Sequence, residues 1–316
     1  MCQVDPFFHL LFKKCVYHIF TNIKVFYTKE ELIINKQFIF DGHVHITPPE
    51  IIQHEDEYRR KDPYFELLCS SKVNKFTTGD ELIAAMAGSN WEKSIVFGFA
   101  FKNNELCKIV NRYTIKMVQK YPKKLVGFAV VNPLASDVKE ELQRCKEAGL
   151  KGVGELFPSG QEFDVTNKGH LKIVCDFCRE NNWPLLIHFN EPVGHYYKGK
   201  TKDSIRKAAK LAINFPDVKF IYAHLGGGLC FYELMPEMKE KLQNVYYDTA
   251  AQPFLYDNNI YKVFRAAGLI DKIILGSDYP LLSPLRYINS IESTVLSRIE
   301  IRKITNENLK RLLKEK

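Results

Sequence analysis

The stretch Phe38-Ile39-Phe40-Asp41-Gly42-His43-Val44-His45-Ile46 decides the fold, because it is an apolar run that ends in a His-x-His pair. Side chains two residues apart point to the same side of a strand. In a buried strand, His43 and His45 would therefore face one side of its C-terminal end. Two imidazoles in that arrangement can bind one divalent cation, most often zinc. The pair alone is weak evidence for a metal site, so the rest of the chain must support it.

Later segments of the chain have the same form. Three apolar runs end in His188, His224 and Asp278, and a further run ends in Glu155. For any single histidine, a structural role is the usual explanation. That explanation would have to apply repeatedly, always at the end of an apolar run. We therefore favour one shared metal site built from these residues.

Length and composition fit a globular enzyme. At 316 residues, the chain could form two ordinary domains or one α/β barrel. Its hydrophobic content of 46% and charged content of 26% are ordinary for a soluble protein. The net charge of +8 comes from scattered lysines, without a dense basic run that would indicate nucleic acid binding. We expect a small-molecule substrate and no nucleic acid or membrane partner.

The eight cysteines show no spacing typical of a disulfide framework. Cys175 and Cys178 resemble a redox or zinc pair, but no second pair supports that interpretation. They share a helical stripe with Leu171 and Val174, which favours buried thiols on an apolar helix face. We therefore expect a reduced, cytoplasmic protein.

Two domains are predicted: a helical extension over residues 1–37 and a catalytic domain over 38–316. The apolar runs of the extension are broken by lysines and are too short to span a bilayer. No basic segment precedes an apolar one, as a secretory signal would require. An amphipathic helix packed on the domain or on a partner is favoured over a membrane-surface helix. Such a helix would suit a homodimer interface.

From residue 38 onward, strand-like and helix-like runs alternate, which predicts an α/β fold. The predicted strands lie near 38–43, 94–99, 124–131, 151–156, 184–189, 218–224, 244–248 and 272–277. Apolar stripes at helical spacing cover 106–117, 138–145 and 205–212. Eight such units predict a distorted (β/α)8 TIM barrel, with a doubly wound open sheet as the alternative. The barrel is favoured because its strands end on one face and its closure brings strands 1 and 8 side by side.

One connection is unusually long. Residues 46–78 follow the first strand and contain Pro48-Pro49 and a charged stretch from Glu55 to Lys61. A long insertion at the active-site end of a barrel is often a lid. A solvated surface excursion is the alternative.

The predicted residues could perform metal-assisted catalysis. A bound cation would lower the pKa of its water towards about 7 and so supply hydroxide at neutral pH. Asp278 could bind the metal or act as a general base that later returns the proton; its alternative role is to cap a helix that starts near Ser283. His224 could bind a second metal or polarise a substrate carbonyl. Glu155 could bridge two metals, or it could be a structural acid.

Four motifs in order resemble the amidohydrolase superfamily. They are Asp41-Gly42-His43-Val44-His45, Leu186-Ile187-His188, Tyr222-Ala223-His224-Leu225-Gly226-Gly227 and Leu275-Gly276-Ser277-Asp278-Tyr279-Pro280. The closest resemblance is to the amidohydrolase-related branch, which includes enzymes like aminocarboxymuconate-semialdehyde decarboxylase. Residues 245–249 are similar to the seventh strand of that branch, and residues 304–313 to its C-terminal helix. The resemblance covers about residues 38–316.

This resemblance implies a distorted TIM barrel with a zinc site. His43, His45, His188 and Asp278 would bind the metal, and His224 would be catalytic or a further ligand. Glu155 stands where other branches have a bridging residue, and it departs from the mononuclear decarboxylase pattern. The number of Zn2+ ions, one or two, therefore stays open, and so does the use of other divalent metals.

Three functions remain open from the sequence. The first is a zinc-dependent hydrolase in which metal-activated water attacks an amide, ester or lactone carbonyl, with Asp278 as general acid/base. The alternative is a metal-dependent non-oxidative decarboxylase, which would need a cationic clamp for a carboxylate. His195, Lys198 and Arg286 are the candidates for that clamp. A non-catalytic barrel is the third, and its expected sign, lost ligands, is missing here.

Overall fold

The computed structural model describes residues 38–197, 199–201 and 205–315. The predicted helical extension over residues 1–37 lies outside these ranges. From Phe38 onward the chain forms one compact unit. Within the described ranges, every helix falls short of the length and hydrophobicity that crossing a membrane requires.

Eight parallel strands pair with one another in chain order. They are β1 Ile39–His45, β2 Trp91–Phe97, β3 Leu125–Ala129, β4 Gly152–Leu156, β5 Leu185–Ile187, β6 Phe220–Tyr222, β7 Val245–Asp248 and β8 Ile273–Ile274. All eight predicted strands are confirmed, with bounds that differ by a few residues. The last strand is much shorter than predicted. After Ile274 the backbone pairs with other segments, since the amide of Leu275 donates to the carbonyl of Ile304.

Backbone hydrogen bonds between β1 and the segment after β8 close the barrel. The amide of Gly42 donates to the carbonyl of Leu275 at 2.8 Å, and the amide of His45 donates to the carbonyl of Tyr279 at 2.8 Å. The amide of Asp278 donates to the carbonyl of His43 at 3.0 Å. The predicted (β/α)8 barrel is therefore confirmed, and its first and last strands lie side by side.

Helices follow the strands and cover the outside of the barrel. The α-helices are Pro49–Gln53, Glu55–Arg59, Pro63–Cys69, Gly79–Met86, Asn104–Lys120, Val138–Glu147, Pro158–Gln161, Lys168–Asn181, Ile205–Asn214, Pro236–Lys241, Gln252–Leu255, Ile260–Ala266, Pro284–Glu292, Arg298–Arg302 and Asn308–Leu313. Shorter 3₁₀ segments span His224–Leu234 and Ile270–Lys272, and a π-helical turn spans Lys303–Glu307. The three predicted apolar stripes lie on three of these helices. Cys175 and Cys178 are buried free thiols, as expected.

Alternate residues of a strand pack into different clusters. Leu185 and Ile187 of β5 pack with residues of the surrounding helices. Leu186, between them, packs with Phe40 and Ile274 from other strands. The strands are buried on both faces, which explains why they read as continuous apolar runs rather than as alternating ones.

The insertion over residues 46–78 folds into three short helices. Tyr58 and Phe65 are buried and pack against Phe101, which follows β2. Asp62 caps the helix Pro63–Cys69 by accepting from two of its amides, and it also accepts from the amide of Lys102 at 2.9 Å. The insertion is therefore anchored to the barrel. The alternative, a solvated surface excursion, describes only the charged stretch from Glu55 to Lys61.

Candidate metal centre

The six predicted ligands converge at one end of the barrel. His43 and His45 lie on β1, and Glu155 lies on β4. The remaining three residues, His188, His224 and Asp278, follow the ends of β5, β6 and β8. They form two adjacent groups in which the candidate donor atoms lie within 4.8 Å of one another. Parallel strands that end on one face explain this convergence.

The first group consists of His43, His45 and Asp278. The Nε2 atoms of His43 and His45 are 3.2 Å apart, and they lie 3.6 and 3.4 Å from Oδ1 of Asp278. Oε2 of Glu155 is 3.5 Å from each of these nitrogens. Donors around a tetrahedral zinc ion stand about 3.4 Å apart, because each lies about 2.1 Å from the metal. The spacing and chemistry of these four atoms therefore fit a divalent cation.

The second group consists of Glu155, His188 and His224. Oε1 of Glu155 is 3.0 Å from Nδ1 of His188 and 3.8 Å from Nε2 of His224. The two ring nitrogens are 3.2 Å apart. Glu155 thus presents one oxygen to each group, which is the arrangement that a bridging role requires.

Hydrogen bonds fix the orientation of two of the rings. Nδ1 of His43 is 2.9 Å from Oδ2 of Asp248, and Nδ1 of His224 is 2.9 Å from the carbonyl oxygen of Ala250. These oxygens accept, so each Nδ1 carries the hydrogen and each Nε2 presents its lone pair to the site. This support from behind is typical of histidines that bind metals.

Asp248 is a supporting residue of the predicted site that the sequence reasoning missed. It is completely buried at the end of β7. Besides the ring of His43, it holds the amides of His224 and Ala250, which donate to its Oδ1 at 3.0 Å. The signal was present, because Asp248 ends an apolar strand as the predicted ligands do. Applying the same rule to the seventh strand would have found it.

Asp41 connects β1 to the segment that carries Asp278. It accepts from the amide of His43 at 3.1 Å and from the amide of Ser277 at 2.9 Å, and the hydroxyl of Ser277 donates to its other oxygen. Burial raises the pKa of the Asp41 carboxyl to about 7, although the hydrogen bonds from Ser277 lower it. Asp41 therefore holds two predicted ligands in register from behind.

The charges of the two groups compensate one another. Burial lowers the pKa of His43, but the carboxylates of Glu155 and Asp248 raise it well above its usual range. Burial raises the pKa of Glu155, but His43 and His188 hold it well below its usual range. Without a cation, the ring of His43 therefore favours its protonated form beside the ionised carboxylate of Glu155. Metal binding would displace that proton, which makes metal affinity dependent on pH.

The turn after His224 depends on its glycines. His224, Leu225 and Gly226–Gly228 all have positive φ, between 53° and 89°. A Cβ atom on Gly227 would lie 2.5 Å from the carbonyl oxygen of Asn190. Only glycine fits there, and the tight turn keeps the ring of His224 over the site.

Aromatic rings form the walls beside the ligands. Phe97 packs edge-on against the rings of His43 and His45, with centroids 5.1 and 4.8 Å away. Phe157 packs in the same way against His188 at 5.0 Å, and Tyr64 packs against Phe157 at 5.0 Å. Tyr64 belongs to the insertion, so the insertion packs on the aromatic ring that lies beside His188.

Asp278 does not take the helix-capping role that was its alternative, and two of the three clamp candidates contact other residues. Asp278 is not the cap of the following helix, because Ser283 caps Pro284–Glu292. Of the clamp candidates, His195 lies in an exposed loop beside Tyr197, and the guanidinium of Arg286 lies over the ring of Phe254. Lys198 lies outside the described residues. Neither of these two contacts involves one of the six predicted ligands.

The chain matches a known family over most of its length. A family model described as amidohydrolase matches residues 40–314. No curated protein matches the chain significantly.

Solved structures share the fold. The chain is similar to 5-carboxyvanillate decarboxylase from Sphingomonas paucimobilis, with 11% identity and a TM-score of 0.71, over 89% of this chain and 100% of that chain. The enzyme of the same name from Novosphingobium aromaticivorans, complexed with manganese and 4-hydroxy-3-methoxy-5-nitrobenzoic acid, has 13% identity and a TM-score of 0.66, over 88% and 96%. A probable 2-pyrone-4,6-dicarboxylic acid hydrolase from Acinetobacter baumannii has 16% identity and a TM-score of 0.59, over 87% and 99%.

Proposed function

The chain belongs to the amidohydrolase family, and from this premise we propose that it is a divalent-metal-dependent decarboxylase of a small organic acid. Two of the similar structures described above are decarboxylases, and one of them holds manganese. They support the decarboxylase better than the hydrolase that the sequence first suggested. The hydrolase becomes the second candidate.

The observation that carries the proposal is the asymmetry of the site. The first group and Glu155 supply four donor atoms at nearly even spacing, which is enough to hold one cation. In this proposal His188, which the sequence predicted as a metal ligand, stays with His224 beside that cation to orient a substrate. A decarboxylase needs only one metal, so this arrangement is sufficient. Zinc suits the nitrogen-rich donor set, and manganese is the second choice.

When bound, a divalent cation supplies positive charge that stabilises negative charge on a substrate oxygen. The other tasks belong to the chain. Decarboxylation breaks a carbon–carbon bond and replaces the carboxylate with a proton. The side chain of Asp278 is 17% exposed, and although burial raises the pKa of its carboxyl, His45 and His43 hold that pKa well below its usual range. Asp278 is therefore ionised, and its role in the proposal is to relay a proton from solvent to the substrate carbon through the oxygen that does not face the cation. Phe97 is completely buried behind His43 and His45 and keeps water from that side of their rings, and the partly exposed Phe157 offers a flat apolar wall that suits an aromatic or conjugated acid.

One observation favours the second candidate, a hydrolase of amides, esters or lactones. Each oxygen of Glu155 faces a different group of donors. A carboxylate placed in this way can bridge two cations, and two-metal sites are common in hydrolases. Two zinc equivalents in the wild type that fall to one in Glu155→Gln would support this candidate.

The proposed function is tested by product analysis. The protein, loaded separately with Zn2+ and Mn2+, is incubated with a panel of hydroxy- and amino-substituted aromatic acids, and released CO2 is measured. Release of CO2 that disappears in Asp278→Asn supports the decarboxylase. Hydrolysis of a lactone or ester panel without CO2 release from any acid would contradict it.

A further inference from the structure

A buried acid outside the six ligands lies at the same end of the barrel. Glu191 follows β5 by a few residues and is only 8% exposed. Among the described residues, neither oxygen of its carboxylate has a hydrogen-bond partner. Burying an unpaired charge costs several kcal/mol, so proteins rarely retain one without a use. The described structure leaves this acid without such a use.

The charge of Glu191 acts on two phenols, those of Tyr197 and Tyr256. Burial and then the charge of Glu191 raise the pKa of Tyr197 to about 12, and Asp278 contributes to the same shift. Burial and the charge of Glu191 also raise the pKa of Tyr256, although its hydroxyl does not reach the geometry of a full hydrogen bond. Glu191 and the predicted ligand Asp278 thus both act on Tyr197. Glu191 also stands three residues after the predicted ligand His188, at the same end of the barrel as the metal centre.

The loop that carries Glu191 satisfies its other polar groups internally. Lys200 donates to the carbonyl oxygens of Val193 and His195, at 2.5 and 3.3 Å. The side chain of Asn190 accepts from the hydroxyl of Thr201 at 2.8 Å, which ties the two ends of the loop together. Among the described residues, the lysine of this loop is therefore committed elsewhere and does not neutralise Glu191.

The backbone before Glu191 is held in place from the other side. The glycine turn after His224 packs on Asn190 so closely that a Cβ atom at Gly227 would collide with its carbonyl oxygen. This packing joins the position of Glu191 to the position of a predicted metal ligand. A group that binds at the metal centre would therefore find the carboxylate at a fixed place.

We propose that Glu191 is a specificity-determining residue that binds a protonated amino group of the substrate. This inference rests on the proposed function, because it assumes that an organic acid binds at the metal centre. A buried carboxylate attracts a cation strongly, since the local dielectric is low, and it repels a second carboxylate. The substrate class that fits is an amino-substituted carboxylic acid with its carboxylate at the metal and its ammonium group at Glu191.

The test measures binding and does not depend on turnover. Calorimetry on the zinc-loaded full-length protein compares benzylamine, which is a cation at neutral pH, with neutral benzyl alcohol. A hydrogen bond to a charged group contributes about 1.5–3 kcal/mol, so benzylamine should bind at least about tenfold tighter. Glu191→Gln should remove this preference and leave the binding of benzyl alcohol unchanged. A decarboxylase assay that fails leaves this result intact.

Controls separate the carboxylate from other causes. Glu162→Gln removes an exposed carboxylate that pairs with Lys102, and it should leave both affinities unchanged. Glu191→Gln should also raise the melting temperature, because it removes an unpaired buried charge. Equal benzylamine affinity in wild type and Glu191→Gln would overturn the proposal. So would a lower melting temperature, since it would mean that the carboxylate has a structural partner. Should Glu191→Gln fail to fold, Glu191→Asp must weaken the preference severalfold.

Discussion

The two groups of predicted ligands differ in how the fold supports them. The first group, His43, His45 and Asp278, lies where β1 meets the segment after β8, and backbone hydrogen bonds fix both sides. The buried acid Asp41 reinforces that junction. The second group, Glu155, His188 and His224, comes from three different strands, and its donor spacings range from 3.0 to 3.8 Å. The comparison favours the proposal that the first group holds the cation and that the second group, whose donor spacings vary more, orients a substrate.

The largest expected effect comes from Asp278→Asn in the first group. The amide keeps the size of the side chain but cannot exchange a proton, so turnover should fall by about 10³-fold while the fold persists. Steady-state kinetics and circular dichroism measure both outcomes. Asp271→Asn is the control, because Asp271 is exposed and pairs with Lys303. Turnover within about tenfold of the wild type would refute the role of Asp278.

Gly227→Ala should destabilise the turn after His224, which belongs to the second group, because it strains the backbone there. The new methyl group would meet the carbonyl oxygen of Asn190 at 2.5 Å, at a residue whose φ is +61°. Collision and strain together should cost about 3 kcal/mol. Gly88→Ala is a matched control with φ +74° and open space around it, and it should cost about 1 kcal/mol. Chemical denaturation measures both, and equal losses would mean that the close approach to Asn190 is unimportant.

Asp248→Asn tests the connection between the groups, because Asp248 holds the ring of His43 and the amide of His224. Weaker orientation of both histidines should lower metal affinity by about 10–100-fold. Titration against a competing chelator measures the affinity. Asp257→Asn, at an exposed acid that caps its own turn, should change nothing. An unchanged affinity in Asp248→Asn would show that the two groups are independent of this residue.

The smallest effect is expected at the insertion, on the side of the second group. Tyr64→Ala removes the ring that packs on Phe157, which in turn packs on His188. An aromatic contact of this kind contributes about 0.5–1.5 kcal/mol, so the KM for an acid substrate should rise by at most about tenfold. Metal affinity should stay constant. Tyr196→Ala, at a side chain that is 80% exposed, is the control. A large loss of metal affinity in Tyr64→Ala would contradict the assigned position of the insertion.

The sequence predicted the parts of this comparison that depend on strand ends. Repeated apolar runs placed His43, His188 and Asp278 on one face, because parallel strands in a barrel share their direction. It did not predict that Asp41 would accept from Ser277, since that contact joins residues 236 positions apart and requires the strand register. The length of β8 was overestimated for the same reason. The apolar run that predicted β8 continues with the buried Leu275, past Ile274, which is the last residue that pairs with β7.

The unpaired state of Glu191 was equally out of reach. An acid after a histidine at a strand end reads as a surface residue, because acids are mostly exposed. Its surroundings include residues far along the chain, such as Tyr256, whose pKa responds to the charge of Glu191. Loop conformation is set by such long-range contacts, which a local pattern does not record.

The most direct test of the asymmetry is the metal content of three proteins after exhaustive dialysis, measured by plasma mass spectrometry. The wild type should retain about one zinc equivalent, His45→Asn should lose it, and His224→Asn should keep it, because the first group and Glu155 hold the cation. Two equally tight equivalents in the wild type, or loss of the metal in His224→Asn, would contradict this account.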